Sequence, residues 1–302
     1  MADRPGGWGT DEVFPSINLI GYGAKKLPGW GQIQQDHIFL IFGFRDLDCG
    51  CPCCMVLPYA CRRAEGHVLD SFHERVAAVR SRIEAACLRA GRAPDSVHLL
   101  PVAKTYGPET VMEAAGAGFR CIGENRVQEA RQKISLCPGH LEWHLIGHLQ
   151  SNKVREAIHY FSMIHSVDSE RLLLLIDSAA REEGKTMPVC LEVNVAGEAS
   201  KNGLSPDEVG PVLEISQKLF NVQVVGLMTV PPAVREPEEV RPWFRALRDL
   251  RDRMQIQAGL DLPDLSMGMS GDFEVAVEEG ATWIRLGSIL FGPRIRPEVP
   301  AE

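Results

Sequence analysis

At 302 residues, 45% hydrophobic and 24% charged, the chain carries enough apolar content for a large core, as one large domain or two smaller ones. A net charge of -8 argues against a general nucleic-acid binder, which needs a basic face. No apolar run reaches bilayer-spanning length, and the short run His37 to Phe42 lacks the basic segment of a signal peptide, so a cytoplasmic protein with no membrane partner is expected.

Residues 1–66 are unlike the rest, rich in Gly and Trp, with Pro and stray aromatics and no sustained period. They are read as a disordered extension or as a start-site error with translation beginning near Met55; a metal-binding or docking arm is the third reading. Gly21 and Gly23 begin a dinucleotide motif, but Lys26 stands where its third glycine belongs. Five of the nine cysteines (Cys49, Cys51, Cys53, Cys54, Cys61) crowd this stretch, and their C-x-C-x-C-C spacing fits no paired C-x-x-C zinc pattern. The other four, scattered from Cys87 to Cys190, read as reduced core or surface residues.

From Leu69 the pattern becomes regular. Phe72, Val76, Val79, Ile83, Ala86 and Ala90 mark one face of a helix over 70–91, closed by Gly91. Strand-length apolar runs follow at 97–103, 119–122, 141–146, 162–167, 188–195, 222–228, 264–269 and 282–286. Helical segments fall between them near 108–117, 125–135, 151–159, 169–184, 206–219, 238–258 and 271–280. Ser205-Pro206-Asp207-Glu208 offers an N-cap serine, a first-turn proline and a capping-box glutamate. Eight strands alternating with helices predict a single (β/α)8 TIM-type barrel over 67–302 with an extra N-terminal helix, a doubly wound open sheet being the alternative.

In such a barrel chemistry sits at the carboxyl ends of the strands. The first strand ends in Lys104, read either as a solvated strand end or as an amine that captures a carbonyl as a Schiff base. The second leads into Asn125, the third carries His144, the fourth His165, and the sixth ends at Met228-Thr229. After the seventh come Ser270-Gly271, and the eighth carries Arg285 and ends in Gly287-Ser288. Small residues in the last two loops let backbone N–H groups approach an anion, and barrels often hold phosphate there. A lysine facing a phosphate cradle suits a cofactor with both an aldehyde and a phosphate, pyridoxal 5'-phosphate (PLP).

Six segments carry a family resemblance. They are Val102 to Thr105, Gly123 to Glu129, Trp143 to Lys153, Gly226 to Met228, Ser266 to Ser270 and Arg285 to Ser288. Together they make residues from about 70 to 296 resemble the pyridoxal phosphate homeostasis protein family (YggS/PROSC type), a barrel similar to the N-terminal domain of alanine racemases. The resemblance implies that Lys104 is the Schiff-base lysine and that Ser270, Gly287 and Ser288 cradle the phosphate. It implies that Arg285 faces the pyridine nitrogen and that Asn125 walls the pocket, with Met228 beside it. Ala103, Gly271 and Pro293 depart from the family pattern next to these motifs. Outside the resemblance, Met228, Met267 and Met269 read as core filling near the pocket, and His144 and His165 as satisfied histidines of the barrel layer or as a proton shuttle.

Three functions compete. The first is a PLP carrier of vitamin B6 homeostasis that holds the cofactor reversibly and buffers or delivers it to PLP-dependent apo-enzymes without substantial catalysis. The second is a PLP-dependent racemase or decarboxylase-like enzyme, and the third a PLP-free Schiff-base aldolase. The first is preferred: only about fifteen residues follow the last strand, and none of the four tyrosines lies in a downstream domain to act as a second base. A single barrel is expected to act as a monomer.

Overall fold

The structure is a computed structural model that describes residues 71–198 and 200–293. All of these lie in the second of two compact units into which the chain divides, Glu65–Glu302. The readings made on residues 1–66, the cysteine cluster included, fall outside the described residues.

The first helix, α1 (Phe72–Arg89), opens on a full capping box: Ser71 Oγ accepts from the Glu74 amide, and the Glu74 carboxylate accepts from the Ser71 amide. Gly91, at φ +64, takes the left-handed position that ends a helix, and the Arg92 amide reaches back to the Cys87 carbonyl at 2.9 Å. The apolar stripe Phe72, Val76, Val79, Ile83 and Ala86 is buried.

Beyond it the chain alternates. The strands are β1 (His98–Pro101), β2 (Cys121–Glu124), β3 (Glu142–Leu145), β4 (Met163–Val167), β5 (Met187–Glu192), β6 (Val222–Met228), β7 (Asp264–Ser266) and β8 (Trp283–Leu286). Between them run α2 (Pro108–Gly116), α3 (Val127–Ile134), α4 (Val154–Tyr160), α5 (Glu170–Glu182), α6 (Val209–Ser216), α7 (Arg241–Ala258) and α8 (Phe273–Glu278). A last short turn of helix, α9 (Ser288–Phe291), follows β8.

All strand pairs are parallel, in the order β1-β8-β7-β6-β5-β4-β3-β2. The two ends of that order meet where Val102 bridges Gly123, the Ala103 amide donating to the Gly123 carbonyl at 2.9 Å. The sheet therefore closes into the expected (β/α)8 barrel, and the open-sheet alternative falls away. Helices cover its outer face and side chains fill its inside, so strands such as β4, buried at every position, read as continuous apolar runs.

The extra helix α1 lies against the end of the chain's path. Phe72 stacks on Phe291 at 5.3 Å, Arg82 pairs with Glu274 at 2.8 Å, and Arg92 donates to the carbonyls of Val277 and Ala281. No described helix is long and apolar enough to cross a membrane.

Several boundaries differ from expectation. β2 starts at Cys121 because Gly118, at φ +87, and Phe119 turn the chain out of α2, Phe119 meeting Phe72 edge-on. It runs on through Glu124, a buried carboxylate made tolerable by Lys133 Nζ at 2.6 Å. β5 ends at Glu192, and Asn194 turns the chain by bonding the backbone of Glu198. β7 ends at Ser266, since Gly268 leaves the extended region at φ +95 and a Cβ there would meet that of Ala276 at 2.6 Å. Ser205 does not cap a helix. Its amide and hydroxyl both donate to Glu208, closing a turn, and α6 opens four residues after Ser205, at Val209.

Candidate functional site

Lys104 leaves β1 at the carboxyl end of the barrel, and the residues on either side of it are fixed. The Ala103 carbonyl accepts from Lys133 Nζ at 2.8 Å, and Lys133 also pairs with Glu124. Burial raises the Glu124 carboxyl above its ordinary range, and the Lys133 ammonium opposes that rise. On the other side, Thr105 holds a left-handed backbone at φ +68, uncommon for a β-branched residue, and its amide donates to Glu129 at 3.1 Å. The direction in which Lys104 emerges is thus set by an ion pair below and a constrained turn above.

Lys104 lines a cavity of about 240 Å³ together with Ser270, Arg285, Gly287 and Ser288, so five of the seven residues expected at the site converge there. Tyr106, Ile146, Met269 and Gly271 complete much of the wall. The Tyr106 hydroxyl is engaged, donating to the Gly292 carbonyl at 2.7 Å. Met228 is not in the wall. It is 1% exposed and packs with Met163 and Cys190. Asn125 is also outside the wall and lies against Gly147, where a Cβ would sit 2.3 Å from the Asn125 carbonyl oxygen.

The seven–eight side of the cavity is built for an anion. The hydroxyls of Ser270 and Ser288 face each other at 3.5 Å, and the amides of Ser270, Gly271 and Ser288 donate to no backbone carbonyl among the described residues. Gly287 runs close to the β1 strand, where a Cβ would come to 3.2 Å from the Val102 carbonyl oxygen.

Arg285 closes the floor. Its guanidinium is buried, donating through Nη1 to Ser266 Oγ at 2.7 Å and through Nη2 to the Thr229 carbonyl at 2.9 Å. Burial pushes it down to about 10, against the pull of Asp272 and Glu192, so it stays charged at neutral pH. Ser266 in turn meets His165 Nδ1 at 2.7 Å, and His165 Nε2 meets His144 Nδ1 at 3.1 Å. β4 and β7 are not neighbours in the sheet, so the His165–Ser266 bond crosses the barrel interior.

Arginine only donates, so the Ser266 oxygen accepts from Arg285; it keeps a second lone pair and a proton, so His165 Nδ1 can either donate to it or accept from it, and the tautomer sets the direction of both histidine bonds. Both rings are neutral. Burial lowers His144 to about 4, and burial with the neighbouring His144 and Arg285 charges lowers His165 well below its ordinary value. The histidines are thus satisfied groups of the barrel layer. The sequence reading missed Ser266 and Thr229 as the residues that hold Arg285; their places at the ends of β7 and β6 were the available signal.

A second, larger hollow of about 460 Å³ opens among His98, Cys121 and Trp283, which begin β1, β2 and β8, at the opposite end of the barrel.

Residues 75–295 match the family model described as alanine racemase, N-terminal domain. The pyridoxal phosphate homeostasis protein of Aquifex aeolicus is 47% identical over 222 residues, covering 73% of this chain and 97% of that protein. The human pyridoxal phosphate homeostasis protein is 37% identical over 233 residues, 72% of this chain and 84% of its own length. Among solved structures, PipY of Synechococcus elongatus PCC7942 with PLP bound superposes with a TM-score of 0.65 at 40% identity, covering 74% of this chain and all of that one.

Proposed function

Since this chain belongs to the pyridoxal phosphate homeostasis protein family, we propose that it is a PLP-binding protein of intracellular vitamin B6 homeostasis, holding the cofactor reversibly and buffering or delivering it. The observation that carries this reading is the convergence of an amine, an anion cradle and a buried arginine on one cavity of about 240 Å³. These residues fit PLP, because its aldehyde, its ring nitrogen and its phosphate each find a candidate partner among them. When bound, PLP supplies an aldehyde that condenses with an amine and a ring able to delocalise charge.

Lys104 is the amine that anchors it, aimed by the Lys133–Ala103 bond and the Thr105 turn. Ser270, Gly271, Gly287 and Ser288 hold the phosphate through hydroxyls and backbone amides. Arg285 would face the pyridine nitrogen of a bound cofactor. A fixed positive charge there disfavours protonation of that nitrogen, so the ring is a weak electron sink and carbanion chemistry is little supported. The phenol at the cavity, Tyr106, is committed to the Gly292 carbonyl and is not poised as a base. Both features favour a carrier over a racemase. Asn125 and Met228 support the site from outside the wall, and the proposed cofactor-binding unit spans residues 67–302. Apo-enzymes that need PLP are the recipients, and the carrier works as a single copy.

The test is the absorbance spectrum of the full chain with PLP, wild type beside Lys104→Ala, before and after borohydride. A visible band near ~420 nm, the signature of lysine-bound PLP, is expected in the wild type, lost in the variant and bleached by reduction. Racemase and decarboxylase assays on the same sample are expected to show no substantial turnover. Absence of the band with PLP in excess sinks the reading, and fast turnover on an amino acid turns the carrier into an enzyme.

A further inference from the structure

The amino end of the barrel holds a second constellation. Cys121 begins β2 and Glu142 begins β3, and the two are register partners, so their side chains stand side by side. His144 lies two residues along β3 and shares that face. Cys121 Sγ is 3.7 Å from Glu142 Oε2, and one donor atom from each of the three residues lies within 4.8 Å of the others. Sulfur, imidazole nitrogen and carboxylate oxygen together select a borderline cation such as Zn²⁺ over Mg²⁺ or Ca²⁺.

The imidazole is already oriented as a metal-binding one is. In the tautomer where His144 Nδ1–H donates to His165 Nε2 and His165 Nδ1–H to Ser266 Oγ, the lone pair of His144 Nε2 is left for a ligand. The indole of Trp283 packs 5.0 Å from the His144 ring and fixes its plane. The hollow of about 460 Å³, which includes Cys121 and Trp283 in its wall, provides an entry path and room for a solvent ligand. Glu142 is exposed, and its carboxylate already accepts from the Cys121 thiol. Bonds of roughly 2.0–2.3 Å put tetrahedral ligands about 3.3–3.8 Å apart, so closing the site needs a movement of about 1 Å.

We propose that Cys121, Glu142 and His144 bind one divalent cation of the zinc class, with the fourth position open to the amino-end hollow. On binding, a Cys121 sulfur–metal bond forms and the thiol proton leaves to solvent. The site shares no residue with the Lys104 cavity, so it stands or falls apart from the PLP reading.

Cobalt(II) titration of the full chain tests it, with Zn²⁺ as competitor. The five cysteines between Cys49 and Cys61 are another source of thiolate, so the comparison that decides is wild type against Cys121→Ser. Expected is one equivalent of four-coordinate cobalt with a thiolate charge-transfer band, displaced by zinc and lost in Cys121→Ser. Glu142→Gln, an exposed change that leaves the fold alone, should weaken cobalt binding about ten- to a hundredfold. A wild type with no such band, or a band of equal size in Cys121→Ser, overturns the proposal. An unchanged affinity in Glu142→Gln removes that carboxylate and with it the three-ligand site.

Discussion

Lys133 and Glu124 show how much one buried pair can decide. Each is nearly or fully enclosed, and each is satisfied only by the other and by nearby backbone. Lys133→Met strands a carboxylate with no counter-ion, and a loss of about 3–5 kcal/mol in urea unfolding is expected. Pairing it with Glu124→Gln should restore much of that stability but not the aim of Lys104, because the bond to the Ala103 carbonyl stays missing. The histidines make a separate prediction. His144 titrates near 6.5 when unfolded and at about 4 when folded. Between those values the unfolded chain binds the extra proton, so stability falls as pH drops from about 6.5 and levels off below about 4, a change of about 3 kcal/mol at most. His165 acts in the same direction. Urea midpoints at pH 7, 5.5 and 4.5 should fall in that order. The slope should be shallower in His144→Gln; an equal slope would show that His144 does not contribute to it.

Among the elements, β6 and β7 approach at Gly226 so closely that a Cβ would lie 2.0 Å from the Asp264 carbonyl oxygen. That oxygen belongs to backbone and cannot swing aside. Gly226→Ala should therefore part the two strands and cost about 1–3 kcal/mol or more by overpacking, read as a lower melting temperature. Elements were legible in the sequence wherever burial on both faces wrote a continuous apolar run, as in β4, or one face wrote a helical stripe, as in α1. They were misread where a single side chain overrode the pattern. Glu124 looked like a loop residue until Lys133 neutralised it, and Ser205 looked like a cap although its hydroxyl donates to Glu208. The positions of Lys104, Ser270, Arg285, Gly287 and Ser288 were legible because strand ends in a barrel converge. The His165–Ser266 contact was not, since 101 residues of chain separate its partners and no local period encodes a bond across the lumen.

At the scale of the molecule, the barrel has two ends with different chemistry joined by a polar thread. One end gathers an amine and anion-binding groups; the other gathers a thiol, a carboxylate and an imidazole. A ligand that binds only the folded barrel stabilises it by mass action, about 2.7 kcal/mol at a free concentration one hundred times Kd. PLP should accordingly raise the melting temperature with the logarithm of its concentration, and Lys104→Ala should need far more cofactor for the same rise. Identical shifts in both proteins would place PLP elsewhere on the chain.

The docking of α1 onto α8 and α9 has a meaning during synthesis. The helix is among the first described segments to leave the ribosome, yet Phe72 waits for Phe291 and Arg92 for the carbonyls of Val277 and Ala281. β1 likewise waits for β8. At roughly 5–20 residues per second, the 200 residues or so in between take about 10–40 s to make. For that interval a nascent chain carries the apolar stripe of α1 and two unpaired strand edges into a crowded cell. The arrangement that seals the finished barrel thus makes its unfinished form a natural client for chaperones.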